Sequence, residues 1–494
     1  MVKITVDGVE LEVDPNKPLI HACHSQGVDV PMYCYHPGLS PVGSCRICQV
    51  EVQQGDAPPR VVVACRQPVA EGMVVTTQSE KAKSTRRECL EFLLKNHPLD
   101  CPICDKAGEC DLQDFAFAHE QGEGRSSEPR RKLEKRKSLG DVIVLDQERC
   151  ILCSRCVRFM EEVPKTPQLT VAGLGSRSVI STFADRPLAG NYQGNLADVC
   201  PVGALTLDKF RFQARVWNLR KSASTCSECS RGCATWVDVL RGQDVKRFRP
   251  RPDESVNDWW MCDTGRFALE RHAREDRLAG AAVREAGGLV RASTEEGLDR
   301  AADALSAGSK RAVVVSPFVT QEEARALQGL AEALDAELCF VSPADNGLGD
   351  DLLHTGDPCP NRKGLEQLGI AGQGADELVP GLGEYDAVLL AGERVAELCG
   401  LDALDALQNV RLVALDEVAL FAPAARASIG VATHVEKLGT WINVDGLERG
   451  LGVARSAPPD TRGLERLCEG LLERLAPALV GGGADASGGE EEQA

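Results

Sequence analysis

The chain opens on alternating apolar and polar positions. Lys3–Val6 and Val9–Val13 read as two strands, because side chains two residues apart face the same side of a sheet. Between them lies Asp7-Gly8, a two-residue hairpin signal that needs positive φ at both positions. Leu19–Gln26 has helical spacing and meets Gly27, the residue that most easily closes a helix. Ile47–Val52, Val61–Ala64 and Met73–Thr77 are further strands. From Ser79 to Leu94 the pattern turns helical, and His97-Pro98 ends it, since a residue before proline avoids the helical region. Residues 121–138 lose all periodicity and carry Arg125, Arg130, Arg131, Lys132, Lys135, Arg136 and Lys137. They read as an exposed connector rather than a basic contact surface.

The texture changes after about residue 290. Thr294–Leu305 is a predicted helix, Ala312–Pro317 a strand, Thr320–Leu334 a helix and Glu337–Val341 a strand. Asp386–Ala391, Val395–Leu407 and Val410–Leu415 follow as strand, helix and strand. Strands alternating with helices predict a parallel α/β sheet. The stretch from Gly481 to Ala494 is rich in Gly, Ala and Glu, a composition that cannot bury a core and is expected to be disordered. A chain of 494 residues has room for about three domains of roughly 150 residues each.

Bulk composition narrows the chemistry. The net charge of −18 argues against nucleic acid as the main partner, because that binding rests on Lys and Arg contacts to phosphate. Aromatic residues are only 4%, so cores must be aliphatic or organised around metal. The longest apolar runs, Ala312–Val315 and Ala387–Ala391, are far short of the roughly 20 residues of a membrane span. Met1–Leu11 reads as a charged strand and not as a secretory signal, and no twin-Arg leader precedes the first cysteines. The expectation is a protein that is soluble or peripheral to a membrane assembly, in a reducing compartment where many thiols stay free.

The cysteines carry the function. Seventeen of 21 lie within the first 262 residues. Most form four sets of four ligands: Cys34, Cys45, Cys48 and Cys65; His97, Cys101, Cys104 and Cys110; Cys150, Cys153, Cys156 and Cys200; Cys226, Cys229, Cys233 and Cys262. Four is the number of ligands that a [2Fe–2S] or [4Fe–4S] cluster takes from its protein. A disulfide framework is the competing reading, but such frameworks belong to short secreted chains.

In the first set three ligands share a glycine-bearing loop with Gly38 and Gly43, and Cys65 follows a strand. Its spacing departs from the plant-type ferredoxin run, with ten residues where that has four. The second set, in HPLDCPICDKAGEC, would suit structural zinc equally well by itself; its neighbours favour iron–sulfur. Replacing a thiolate by neutral His97 removes one negative charge and should raise the reduction potential. Cys150-x2-Cys153-x2-Cys156 opens a bacterial ferredoxin motif, and Cys200-Pro201 is the pair that closes one. Neither completes a second motif, so this reads as a ferredoxin fold that keeps one cluster. Gly203-Ala204 suits close backbone approach to that cluster. The fourth set, ending in CDTGRF, has three ligands in a tight loop and a distant fourth. This suits a [4Fe–4S] cube, with zinc as the alternative. Cys23, Cys89, Cys339, Cys359, Cys399 and Cys468 fit no set and read as small buried apolar residues. His21, His24 and His36 read as loop residues rather than ligands.

The strings YCYHPGLSPVGSCRICQVEV, HPLDCPICDKAGECDLQD and ERCILCSRCVRF resemble the large iron–sulfur subunit, the G component, of bacterial respiratory NADH:quinone oxidoreductase (complex I). The fourth set and the later α/β region resemble the molybdopterin oxidoreductases, whose EKxGTFxNxEGR segment is similar to EKLGTWINVDG at Glu436–Gly446. The resemblance implies a multidomain α+β and α/β chain. Residues 1–78 would form a β-grasp [2Fe–2S] ferredoxin domain, 79–120 a His/Cys3 [4Fe–4S] segment and 140–215 a ferredoxin-like [4Fe–4S] domain. Residues 216–275 would form a molybdopterin-oxidoreductase-type [4Fe–4S] domain and 290–480 a degenerate, truncated α/β scaffold, followed by the tail 481–494.

The cofactors implied are one [2Fe–2S] and three [4Fe–4S] clusters. Electrons would enter at the first set, pass to the third and then the second, and leave to a ferredoxin-like subunit. The fourth cluster would lie off this route. The implied partners are a flavoprotein, NADH-binding subunit and that ferredoxin-like subunit, on the cytoplasmic side of the bacterial inner membrane, peripheral to it. No NADH, quinone or molybdopterin site of its own is expected: the chain ends at 494, and Thr264 stands where the molybdenum enzymes usually carry Lys. The glycines Gly347, Gly349, Gly372, Gly374, Gly381 and Gly383 form no phosphate-binding fingerprint. An iron-only hydrogenase would need another cysteine-rich segment, and only four scattered cysteines follow Cys262. A diaphorase subunit of an NAD-linked hydrogenase would be shorter. A formate dehydrogenase subunit would need further cofactor domains. A zinc-stabilised scaffold would hold the same ligands without redox activity.

Overall fold

Asp7 and Gly8 both take left-handed backbone, with φ of 47° and 86°, and this turn folds β1 (Val2–Val6) onto β2 (Val9–Val13). The structure, a computed structural model, describes residues 1–119, 122–286 and 288–481. The tail expected to be disordered lies, from residue 482, outside them. The described chain divides into two units, Met1–Leu219 and Arg220–Ala494.

In the first unit, α1 (Leu19–Ser25) follows the hairpin, and β3 (Gln49–Gln54), β4 (Arg60–Val63) and β5 (Met73–Thr76) complete a mixed sheet of order β2-β1-β5-β3-β4. Alternate residues Ile4, Val6, Val50, Val52 and Val75 point inward with Leu19 and Ile20 of α1 to make its core. Next, α2 (Glu80–Leu94) starts at Ser79, whose hydroxyl accepts the Ala82 N–H at 3.2 Å. This is the side-chain cap that the first helical turn needs. Buried Arg86 ties α2 to the sheet by donating Nε and Nη2 to the Gln49 carbonyl at 3.1 and 2.8 Å. The helix therefore delivers His97 at a fixed place. α3 (Asp111–Ala118) follows.

The segment read as an exposed connector is tied down along its length. Arg125 donates Nε to Glu91 at 2.8 Å, Lys95 meets Glu128 at 2.6 Å, and Lys135 meets Glu148 at 2.7 Å. Beyond it, β6 (Lys137–Ser138), β7 (Ile143–Leu145), α4 (Arg155–Glu162), the hairpin β8 (Leu169–Ala172) and β9 (Val179–Thr182), α5 (Asn195–Val199) and β10 (Leu205–Leu207) frame the third cysteine set.

The second unit opens with an antiparallel sheet of β11 (Leu219–Thr225), β12 (Ala234–Leu240) and β13 (Asp244–Pro250), then the short α6 (Asp263–Arg266). An eight-stranded sheet follows. Its strands are β14 (Ala281–Glu285), β15 (Gly288–Ala292), β16 (Arg311–Val315), β17 (Ala336–Val341), β18 (Ala371–Gln373), β19 (Ala387–Ala391), β20 (Arg411–Asp416) and β21 (Ala427–Gly430), in the order β15-β14-β21-β20-β19-β16-β17-β18. α7 (Thr294–Ser306) and α8 (Gln321–Leu334) cover one face, packing on Val313, Val315 and Leu389. α9 (Arg362–Gln367) and α10 (Ala375–Leu382) follow β17 and β18, and α10 covers the other face with Val314, Val388 and Leu390. Strands covered on both faces read as continuous apolar runs, which is why 312–315 and 387–391 are unbroken.

The predicted strands pair in parallel as expected, with one addition and one correction. The sheet is parallel from β21 to β18, but β14 pairs antiparallel with both β15 and β21. A parallel pair needs a crossover of a dozen residues or more, and the link from β14 to β15 is far too short for one. The single helix expected at 395–407 is two, α11 (Val395–Cys399) and α12 (Ala403–Ala406). Gly400 between them has a φ of 80° and stops the first.

The chain leaves β16 toward β17 and later returns to β19 on the other side of β16. In open α/β sheets the crevice at the carboxyl ends of such strands is where ligands sit. Here the segment Glu436–Gly446, carrying β22 (Gly439–Ile442) beside β23 (Glu448–Leu451), packs against the chain that follows β16. Trp441 is fully buried and donates Nε1 to the Phe318 and Val319 carbonyls at 3.3 and 3.1 Å. Buried Lys437 meets Glu323 at 2.6 Å, and His434 meets Glu393, just after β19, at 2.9 Å. The last helix, α13 (Leu464–Gly481), packs against α7 and α8.

Trp441→Ala removes a fully buried indole and is expected to cost about 3–5 kcal/mol. Denaturant unfolding of the full chain checks it, and an unchanged midpoint would show that the indole does not hold this region closed.

Candidate metal centres

No disulfide joins any of the 21 cysteines, and the four sets differ in how the fold gathers them. In the first, Cys34, Cys48 and Cys65 are buried and Cys45 half-buried. The Cys34 N–H donates to Cys45 Sγ at 3.4 Å. Hydrogen bonds among the thiols hold Cys34 and Cys48 below the usual range and push Cys45 and Cys65 above it. All four side chains therefore share one site. Nearby His24 bonds the Val30 carbonyl at 2.8 Å, and His36 accepts the Gly38 N–H at 3.1 Å. These histidines brace the loop.

The second set strings along the first unit's middle: His97 after α2, Cys101 and Cys104 around a single 3-10 turn, and Cys110 at the start of α3. Burial holds the His97 imidazole down to about 4, so the ring is neutral and can donate a lone pair to metal. Its Nδ1 is buried without a hydrogen-bond partner. Burial pushes Cys104 up and Cys110 up to about 11, and each also feels a fellow thiol of the set.

Ala204 lines the cavity of the third set, while its neighbour Gly203 lies against the second. A Cβ on Gly203 would stand 2.3 Å from Cys104 Sγ. Its bare backbone therefore makes room for a ligand of the second set.

The third set surrounds a cavity of its own. Cys150, Cys153, Cys156 and Cys200 line one small cavity walled by Leu145, Ile180, Val202 and Leu205. Leu152 and Ser154 take left-handed backbone, with φ of 53° and 60°. This curls the loop so that the Leu152 N–H reaches Cys150 Sγ at 3.4 Å. Such strain in ordinary residues persists only where surroundings over-determine it. α4 starts directly after the loop and carries Cys156, while α5 ends on Cys200. Burial raises the thiols, Cys150 to about 12 and Cys153 to about 11.

In the fourth set the Cys226 N–H bonds the Cys233 carbonyl at 2.8 Å, closing the tight loop, and Cys262 caps α6 by accepting the Gly265 N–H at 3.4 Å. A Cβ on Gly265 would stand 2.7 Å from Cys226 Sγ. Burial and the neighbouring thiols push Cys226 and Cys233 far up, and Cys262 to about 12.

Among the described residues no group of three or more His, Cys, Asp or Glu side chains is arranged to hold a single metal ion. The donor chemistry fits iron–sulfur clusters: thiols in fours, one neutral imidazole with an unpartnered nitrogen, and glycines that leave sulfur room at two sets. Of the six other cysteines, Cys23, Cys359, Cys399 and Cys468 are buried as expected. Cys89 and Cys339 are half-exposed, against expectation, on α2 and the near-edge strand β17.

The class of protein follows from matches to three iron–sulfur family models. Residues 1–80 match a 2Fe-2S iron-sulfur cluster binding domain, 86–125 the NADH-ubiquinone oxidoreductase-G iron-sulfur binding region, and 140–206 the ferredoxin-like domain of NADH-quinone oxidoreductase subunit 3. The G component of the NADH-quinone oxidoreductase of Streptomyces coelicolor is 40% identical over 340 residues, 68% of this chain and 40% of that protein. Its counterpart in Rickettsia bellii is 38% identical over 305 residues, 62% of this chain and 44% of that one. The chain is thus a homologue of the G component of NADH-quinone oxidoreductase, as its cysteine strings indicate, and it spans less than half the length of these two relatives. A chain of an NAD+-reducing [NiFe]-hydrogenase in the H2-reduced state is 30% identical, covering 44% of this chain and 91% of that one, with a TM-score of 0.39; so loose a superposition bears no functional weight. Among the described residues no helix is long and apolar enough to cross a membrane.

Gly203→Val is expected to displace Cys104 and empty the second set while the first keeps its metal. Metal content per chain with site-resolved spectra checks this, and full loading would show that the Cys104 turn gives way instead.

Proposed function

We propose that the chain is an electron-transfer subunit of an NADH:quinone oxidoreductase. Cys34, Cys45, Cys48 and Cys65 would hold a [2Fe–2S] cluster. The sets His97/Cys101/Cys104/Cys110, Cys150/Cys153/Cys156/Cys200 and Cys226/Cys229/Cys233/Cys262 would each hold a [4Fe–4S] cluster. The observation that carries this reading is the gathering of Cys150, Cys153, Cys156 and Cys200 round one cavity, supported by backbone N–H groups aimed at sulfur in the first, third and fourth sets. When bound, such clusters supply one-electron acceptance and release.

The protein's part is to hold ligands, exclude water and set local charge. His97 keeps the second site one negative charge poorer than an all-thiolate site. The apolar walls of the third site (Leu145, Ile180, Val202, Leu205) lower the local dielectric, which strengthens every nearby charge. The second unit's eight-stranded sheet serves as scaffold, its switch-point crevice packed by protein around Trp441. A flavoprotein subunit would feed electrons in and a ferredoxin-like subunit would take them out, on the cytoplasmic side of the membrane.

Anaerobically purified chain is expected to be brown and to carry iron with acid-labile sulfide. A colourless product bearing zinc would overturn the electron-transfer reading in favour of a metal-stapled scaffold. His97→Cys is expected to keep its metal and lower that site's midpoint potential, because a thiolate adds one negative charge. A redox titration followed by EPR reads the shift, and an unchanged or raised potential would contradict the charge argument.

A further inference from the structure

Two arginines on α4 link the first and third cysteine sets. Arg158 is buried and donates one Nη to the Cys34 carbonyl, the other to the Ser40 carbonyl, and Nε to Ser154 Oγ at 3.3 Å. Every one of these acceptors is a neutral oxygen. Cys34 is a first-set ligand, and Ser40 lies in the same loop. Arg155, also buried, donates to the Tyr35 carbonyl at 2.5 Å and the Val199 carbonyl at 3.2 Å. It therefore grips residues next to Cys34 and next to Cys200. Its nearest carboxylate, Asp111 Oδ2, is 3.9 Å away on a side chain 40% exposed. Arg155 also lines the third-set cavity, and its buried Nε–H has no partner. Finally, Glu162 of α4 accepts the Ser40 N–H at 2.8 Å, a third tie from the same helix to the first loop.

Burying a guanidinium against neutral acceptors is unfavourable unless opposite charge compensates it. The compensation available here is the thiolates of the loaded sites on either side. Arg is fitted to such a place because it stays charged and forks to two carbonyls at once. Each electron gained by a cluster adds one negative charge, so a fixed buried cation favours the reduced form and raises the potential.

We propose that Arg155 and Arg158 are positioning and tuning residues: a buried double cation that fixes the first and third metal sites against each other and raises the reduction potential of both. This rests on the iron–sulfur reading above. Arg158 acts mainly on the first site through the Cys34 loop. Arg155 acts on the third, offering its unpartnered Nε–H to the sulfur-lined cavity.

The test is an EPR-monitored redox titration of the loaded full chain, wild type against Arg158→Gln and Arg158→Lys, with iron per chain measured in parallel. Gln keeps a donor but loses the charge. At the wild-type midpoint its first-site ratio of reduced to oxidised form is expected to fall about tenfold, a shift of about 59 mV for one electron, at unchanged iron. Lys is expected to stay within about twofold. Arg155→Lys keeps charge but removes the Nε–H and is expected to lower the third-site potential while leaving the first unmoved. Wild-type ratios in Arg158→Gln at full iron overturn the proposal, as does an equal fall in Gln and Lys. Should Gln lose iron, the Lys variant decides: native iron and potential support a charge role, and a shifted potential refutes it. Wild-type chain with no iron–sulfur signal would instead sink the functional reading.

Discussion

Gathering buried thiols into fours is unfavourable for a bare polypeptide, and the first 262 residues depend on overcoming that cost. Burial pushes Cys156, Cys226 and Cys233 far above the ordinary thiol range, with neighbouring thiols adding to it. The anionic form that binds metal is thus the form the surroundings oppose. Metal binding must expel those protons, so loading and folding are one equilibrium. The chain prepares for it with backbone N–H groups aimed at sulfur from Leu152, Gly265 and Cys34, the local dipoles that stabilise thiolate.

The candidate ligands stood out in the sequence because several donors at short intervals let one loop wrap a cluster; that they bind clusters is the proposal. Many strands and helices were legible for the same local reason, down to the Asp7-Gly8 turn. What one loop abuts was not. Gly203 belongs by sequence to the third set and by contact to the second, since the turn after Cys200 lies against Cys104. The backbone bond from the Asp111 N–H to the Pro201 carbonyl at 3.0 Å records the same contact between the two loops. Arg155 and Arg158 looked like ordinary helix residues. Two arginines three apart share a helix face, and that face beside Cys156 was the signal available. Its partners, the carbonyls of Cys34, Tyr35 and Ser40, lie more than a hundred residues away.

The second unit shows what family likeness can obscure. The Glu436–Gly446 string resembles a cofactor-enzyme segment, yet the structure uses it as packing. Trp441 seals the chain after β16 through two carbonyls, and Lys437 and His434 spend their polar groups on Glu323 and Glu393. Buried polar groups satisfied this completely rigidify a core rather than wait for a ligand. The helix broken at Gly400 adds to this packing, since its Ala396 N–H donates to Asp416 at the carboxyl end of β20 at 2.9 Å.

Charge distinguishes the sites further. Around the second set, Arg149 meets Asp100 at 2.9 Å and Asp146 at 3.2 Å, and Lys135 meets Asp100 at 3.0 Å and Glu148 at 2.7 Å. Those cations are paired with carboxylates, so on the proposed reading the neutral His97 would be what lowers this site's negative charge. Around the first and third sets the cations Arg155 and Arg158 rest chiefly on carbonyls. One site therefore sheds negative charge by changing a ligand, and two offset it by burying a neighbour. On the proposed iron–sulfur reading, both devices would raise the potential of the site they serve.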